Sequence, residues 1–188
     1  MGRQQNYWNS DEYINSKYEL YKIFKNYLNE TPNTLCDIGC GFAFESGWFS
    51  KEYNTDVWLL DIDADYKKEY EKNKRYINYG NIDDFGGYNN FETIRESLKT
   101  RDVINYKLLE PNDTQWNTSP KFDVIMSVKS MAYHYPITPY NEFIETHKNE
   151  NTRLFVSIRD KNVSQVDNYK IKDIVYEYRK SIFVELNI

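Results

Sequence analysis

Leu35-Cys36-Asp37-Ile38-Gly39-Cys40-Gly41-Phe42-Ala43 joins a short apolar run to two glycines one residue apart. Thr34 to Ile38 reads as a buried strand of the parallel type, because its apolar residues run on rather than alternate. The glycines end it. Beyond them, Phe44 to Tyr53 reads as a helix despite Gly47, and Asp56 to Ile62 as a second strand closed by acids. Strand, glycine turn, helix, strand is the opening unit of a sheet covered by helices.

Working outward, residues 10 to 30 read as the first helix. Ser10 is placed to cap it, and Asp11 and Glu12 occupy the first turn, where the helix dipole favours negative charge. Ile14, Tyr18, Tyr21 and Leu28 recur at helical spacing, and Pro32 and Asn33 stop the run. Residues 64 to 102 form a long connection with a charged stretch, Lys67 to Arg75, turns at Gly80 and Gly86-Gly87, and a helix carrying Ile94 and Leu98. Val103 to Leu109, Phe122 to Ser127 and Thr152 to Ile158 read as three further strands. Pro139 to Lys148 reads as a helix with proline near its start. Ile174 to Tyr178 and Ile182 to Leu186 make a terminal antiparallel hairpin. The expected architecture is a single α/β domain over residues 1–188, with a mostly parallel sheet and an insertion within 64–102.

Glycines at a strand end let backbone N–H groups approach a ligand with no Cβ in the way. The helix behind them adds unpaired N–H groups. Two ligand classes use this device. A dinucleotide needs Gly-x-Gly-x-x-Gly, but Phe44 stands at the sixth position and would crowd a pyrophosphate, which Asp37 would also repel. An acid beside a glycine turn suits a ligand with an ammonium group and a neutral ribose, as in S-adenosylmethionine. Asp61 lies 20 residues after Gly41, at the end of the next strand, where a carboxylate can accept both ribose hydroxyls.

With Asp37-x-Gly39-x-Gly41, the acidic end Leu59-Leu60-Asp61-Ile62-Asp63 and the later Phe122-Asp123-Val124-Ile125-Met126-Ser127, the chain resembles the class I S-adenosylmethionine-dependent methyltransferases. The resemblance covers roughly residues 7 to 160, and the terminal hairpin fits that family's reversed seventh strand. It implies a Rossmann-like three-layer sandwich with sheet order 3-2-1-4-5-7-6. It further implies that the turn Gly39-Cys40-Gly41 cradles the methionine part and Asp37 lies near its amino group. Asp61 would bind the ribose and Ile62 flank the adenine. Glu110 and Asp113 compete for the adenine edge, with Asp113 preferred, and Ser127 would line the methyl pocket. Ala43 replaces the family's frequent third glycine. The segments Gly41-Phe42-Ala43-Phe44-Glu45-Ser46 and Tyr133-His134-Tyr135-Pro136 resemble those of small methyltransferase-like proteins of phages and bacteria.

Methyl transfer is an in-line displacement. The protein has mainly to hold the nucleophile about 3 Å from the methyl group. A general base helps when the nucleophile is a hydroxyl or a protonated nitrogen. The segment after the fourth strand, Ser127 to Pro136, is where such groups belong. His134 is the first choice as base, because imidazole titrates near neutral pH; its other reading is a loop histidine bonded to backbone. Tyr133 and Tyr135 are candidates for an aromatic wall, set against ordinary packing. Lys129 and Arg159 are candidates for an anionic substrate group, set against a solvated lysine and an arginine paired with Asp160 or Asp63. Tyr7-Trp8 would close over the ligand or cover a core edge.

Composition narrows the field. The 188 residues hold 24 basic and 29 acidic side chains, a net charge of -5, which disfavours a nucleic-acid coat. No Asn-Pro-Pro-Tyr or Asp-Pro-Pro-Tyr follows the fourth strand and no Pro-Cys pair exists, which argues against methylation of DNA bases. No run approaches the ~18 apolar residues of a membrane helix, and residues 1 to 6 lack the apolar core of a secretory signal. The reducing cytoplasm is the expected compartment. Cys36 and Cys40, with only two histidines, make neither a disulfide scaffold nor a structural metal site. With 21 Asn and 18 Tyr but three Ala, aromatic and amide runs here reflect composition rather than function. The expected activity is methyl transfer from S-adenosylmethionine to a small molecule such as a sugar, nucleotide or metabolite. A noncatalytic S-adenosylmethionine-binding module and an RNA or protein methyltransferase are the alternatives.

Overall fold

The computed structural model describes residues 10–63, 90–111, 113–159, 166, 169–178 and 180–188. The charged stretch Lys67 to Arg75, the Gly80 and Gly86-Gly87 turns and the Tyr7-Trp8 pair lie outside them. Helix α1 spans Asp11–Leu28, with the Ser10 hydroxyl accepting the Tyr13 N–H. Asn29, in the left-handed region at φ 61, ends it ahead of Pro32. Strand β1 is Thr34–Ile38, helix α2 Phe44–Tyr53 and strand β2 Asp56–Leu60, two residues shorter than its apolar run. Helix α3, Phe91–Thr100, buries Ile94 and Leu98 as its spacing requires.

Strand β3 is Tyr106–Leu109. Val103, expected to open it, is buried, but its N–H bonds to the Leu98 carbonyl and so closes α3 instead. Strand β4 is Val124–Ser127, and a further strand, β5, covers Ser130–Tyr135. The proline-led helix begins as a 3-10 turn, Thr138–Tyr140, and continues as α4, Asn141–His147. Strands β6 (Arg153–Arg159), β7 (Ile171–Tyr178) and β8 (Ser181–Leu186) complete the set.

Seven strands form one sheet in the order β3-β2-β1-β4-β6-β8-β7. Leaving out β5, this is the expected order 3-2-1-4-5-7-6. Strands β1, β2, β3, β4 and β6 are parallel, and β8 runs antiparallel to both β6 and β7. Strand β5 stands outside this order and packs on β6. Its sequence carries no period-two signal: Met131 and Ala132 are both buried, and Ala132 sits at φ 63, which breaks the pleat.

Side-chain alternation divides the core. Leu35, Val57, Leu59, Val124 and Met126 face α1, α2 and α3, while Cys36, Ile38, Trp58, Leu60 and Ile125 face the 3-10 turn, α4 and β5. On the first face Phe24 is fully buried, with its ring 4.7 Å from Phe155, 5.2 Å from Phe183 and 5.6 Å from Phe49. Burying one such ring contributes about 2–3 kcal/mol. This packing fixes the carboxyl edge of the sheet, where β1 and β4 part in opposite directions.

Candidate active site

The bend after β1 has both glycines in the left-handed region, Gly39 at φ 66 and Gly41 at φ 54. The Gly39 and Cys40 N–H groups donate to the Leu60 carbonyl at 2.7 and 3.2 Å, tying the turn to the end of β2. Gly39 is required for space as well: a Cβ there would lie 2.1 Å from Ser130 Oγ. Ala43 accepts the left-handed conformation at φ 50, at a cost of about 1 kcal/mol.

Asp61 clasps the turn. Its Oδ2 accepts the Gly41 N–H at 2.8 Å, its Oδ1 accepts the Ile62 N–H at 2.8 Å, and Cys40 Sγ lies 3.8 Å from Oδ2. Burial raises its carboxyl above the usual range, against the pull of these hydrogen bonds. Each carboxylate oxygen has two lone pairs, so the geometry leaves acceptor capacity for hydroxyl groups.

Asp37 lies beneath the turn, 2% exposed, and accepts the Ser46 hydroxyl at 2.7 Å. Burial pushes it up to about 7; Ser46 and Lys17 oppose the rise, while Glu45 and Asp61 add to it. Lys17 reaches in from α1 but is already paired with Glu45 at 2.9 Å, in the first turn of α2. Burial works against the Lys17 charge, yet the Glu45 carboxylate outweighs it and the pKa rises. The result is a buried carboxylate with one short hydrogen bond and no salt bridge among the described residues.

Arg101, just after α3, holds the far side of the turn. Its guanidinium donates to the carbonyls of Ala43 at 3.0 Å, of Phe42, and of Ser97 at 3.0 Å, and it lies 4.5 Å from the Phe44 ring centroid. Burial lowers its pKa to about 10. Sequence reasoning missed this residue, since an arginine after a surface helix carries no local signal of the loop it will reach.

Beyond β4, Ser127 is fully buried. Its hydroxyl donates to the Ile38 carbonyl at 2.7 Å and accepts the Met131 N–H at 2.9 Å, so it joins the end of β1 to β5. Lys129, at φ 62, and Ala132 bracket Ser130, which packs on Gly39. Tyr133 and His134 are half-buried, with ring centroids 4.8 Å apart, and the Arg159 guanidinium lies 4.3 Å from the Tyr133 centroid. The Lys129 amine is 6.0 Å from the Tyr178 centroid. Burial lowers His134 to about 4, helped by the positive charges of Arg159 and Lys129. Its ring is therefore neutral at pH 7.

The adenine-edge candidates divide. The Asp113 carboxylate accepts the Gln115 N–H at 2.8 Å and caps the 3-10 turn Thr114–Thr118. The Glu110 carboxylate accepts the Asp63 N–H, beside the acids that close β2, and burial raises its pKa. The structure thus brings Asp37, Gly39, Cys40, Gly41, Asp61 and Ile62 together at the ends of β1 and β2. It brings Ser127, Lys129, Tyr133, His134 and Arg159 together at the ends of β4 and β6.

No protein-family model matches the chain, and no curated protein sequence matches it. Solved structures do. A ribosomal protein L11 methylase from Lactobacillus delbrueckii subsp. bulgaricus superposes with a TM-score of 0.60 at 12% identity, over 92% of this chain and 78% of that one. A methyltransferase from Pyrococcus furiosus gives 0.58 at 17% identity, over 90% and 81%. The chain has the class I methyltransferase fold. A mutant of MtNAS in complex with S-adenosylmethionine gives 0.59 at 16% identity, over 97% and 68%. At these identities it is the methyltransferase architecture that is shared, and the site residues must be argued from this chain's own geometry.

Proposed function

We propose that the protein binds S-adenosylmethionine and transfers its methyl group to a small-molecule acceptor. The observation that carries the reading is the pair of carboxylates at a left-handed glycine turn, Asp37 buried beneath it and Asp61 partly buried and clasping it. When bound, S-adenosylmethionine supplies a methyl group activated by its sulfonium. The Gly39-Cys40-Gly41 backbone and Asp37 would hold the amino-acid part, with Asp37 receiving the ammonium. Asp61 would accept the ribose hydroxyls, Ile62 would flank the adenine, and Glu110 or Asp113 would meet its edge. Ser127 would line the methyl pocket at the end of β4, and its two hydrogen bonds keep β5 seated over the turn. His134, neutral at pH 7, would accept a proton from a hydroxyl or amine acceptor, with Tyr133 as the wall beside it.

Calorimetric titration tests the binding step. S-adenosylmethionine and S-adenosylhomocysteine should both bind, a nicotinamide dinucleotide should not, and Asp61→Ala should weaken both nucleosides at least ~10-fold. Preferred binding of the dinucleotide would overturn the reading. A second reading, a noncatalytic binding module, is favoured by the depressed His134, since a group held at about 4 is a weak base. Transfer of labelled methyl groups to any fraction of a metabolite extract separates the two.

A further inference from the structure

Lys129, His134 and Arg159 gather at one end of a chain whose net charge is -5. Burial does most to disfavour the Lys129 charge, Lys17 and Arg159 disfavour it further, and Glu45, which favours it, is already bonded to Lys17. Among the described residues, no ion pair links Arg159 to Asp63 or Lys129 to any carboxylate. Arg159 lies over the Tyr133 ring at 4.3 Å, an arrangement that leaves the N–H groups in the guanidinium plane able to donate to a planar oxyanion. Lys129 is held beside the same site by a left-handed backbone at φ 62, a conformation that costs a lysine about 1 kcal/mol. Two positive groups at the carboxyl end of the sheet, Lys129 on a strained loop beside the glycine turn and Arg159 at the end of β6, call for a negative partner.

We propose that Lys129 and Arg159 anchor a carboxylate or phosphate group of the methyl acceptor, placing its nucleophile beside His134. This rests on the reading that the glycine turn holds S-adenosylmethionine. It narrows the acceptor to a small anionic molecule. An uncharged sugar or a cationic peptide side chain would leave both cations without a carboxylate partner among the described residues.

The test uses full-length protein saturated with S-adenosylhomocysteine and titrated separately with inorganic phosphate and acetate. Nuclear magnetic resonance follows the Arg159 Nε–H and the His134 ring, and calorimetry on the same samples reports the cofactor site. Saturable shifts of both groups are expected, with the His134 pKa rising toward its ordinary value as the anion offsets its neighbours. A stronger response to phosphate identifies a phosphorylated acceptor, and a stronger response to acetate a carboxylate. Lys129→Gln and Arg159→Gln should each weaken anion binding about tenfold, while Lys129→Arg should retain most of it. Absence of saturable shifts in the wild-type protein overturns the anchor, whatever the variants do. Equal anion affinity in the wild-type and both glutamine variants overturns it as well. Anion binding without S-adenosylhomocysteine binding would sink the cofactor reading and keep the anchor.

Discussion

Asp37 and Glu185 are buried to the same degree, 2% and 1% exposed, yet their carboxyls move in opposite directions. Asp37 rises to about 7 and Glu185 falls to about 2. Burial is the largest influence on both and pushes both up, so their partners make the difference. Glu185, on β8 opposite Phe155, accepts Arg153 Nε and Nη2 at 2.8 Å each, Lys172 at 2.9 Å and the Tyr27 hydroxyl at 2.8 Å. Asp37 accepts one hydroxyl, from Ser46, while the nearby Lys17 is bound to Glu45. At the amino end of the parallel strands the charge is satisfied by the protein itself. At the carboxyl end it is left with capacity for something the protein does not supply.

Removing a partner from the satisfied site should have the largest effect. Arg153→Met strips Glu185 of its bidentate pair and should cost about 3 kcal/mol in urea unfolding. Asp37→Asn should do the reverse at the other end. It removes a poorly compensated buried charge, so the melting temperature at pH 8 should rise, while S-adenosylhomocysteine affinity falls about tenfold, near 1.4 kcal/mol. A variant that lost stability and kept its affinity would erase the contrast.

The two carboxyls also predict opposite pH slopes. The folded pKa of Asp37, about 7, lies above its unfolded value near 3.9. Its contribution is therefore fully present below about pH 4 and is lost as pH rises through about 7. The folded pKa of Glu185, about 2, lies below its unfolded value near 4.3. Its contribution is present above about pH 4 and is lost as pH falls through about 2. Unfolding free energy measured from pH 2 to 9 should flatten on the alkaline side in Asp37→Asn and on the acid side in Glu185→Gln. Cofactor affinity in the wild-type protein should fall as pH drops below about 7, by less than tenfold per unit, because protonated Asp37 no longer attracts an ammonium. The smallest effect belongs to Lys172→Ala. Its amine is half-exposed, and losing it should cost under about 1 kcal/mol.

Much of the frame was legible because its signals are local. The α2 run, Phe44 to Tyr53, and the β1 run, Thr34 to Ile38, have the bounds that their apolar spacing and flanking glycines indicate. The terminal hairpin is three residues longer at its start, since Ile171 and Asp173 pair with β8 across a register irregularity at Lys172, without an apolar pattern. Strand β5 carried no such signal. Ala132 interrupts its pleat, and its place depends on the Ser127 bonds and on Gly39 giving room to Ser130. Arg101 was equally silent, because its partners lie 58 and 59 residues earlier.

By itself the sequence determined the alternation of strands and helices, the glycine turn and the acids around it, since these follow from periodicity or from a backbone conformation that few residues adopt, while the strand order came from the resemblance those motifs carry. Only the tertiary structure decided how those acids ionise and which cations face them. The ionisation of a buried group depends on what surrounds it in space, and the bonds that govern Asp37 and Glu185 span sequence separations from 9 to 158 residues.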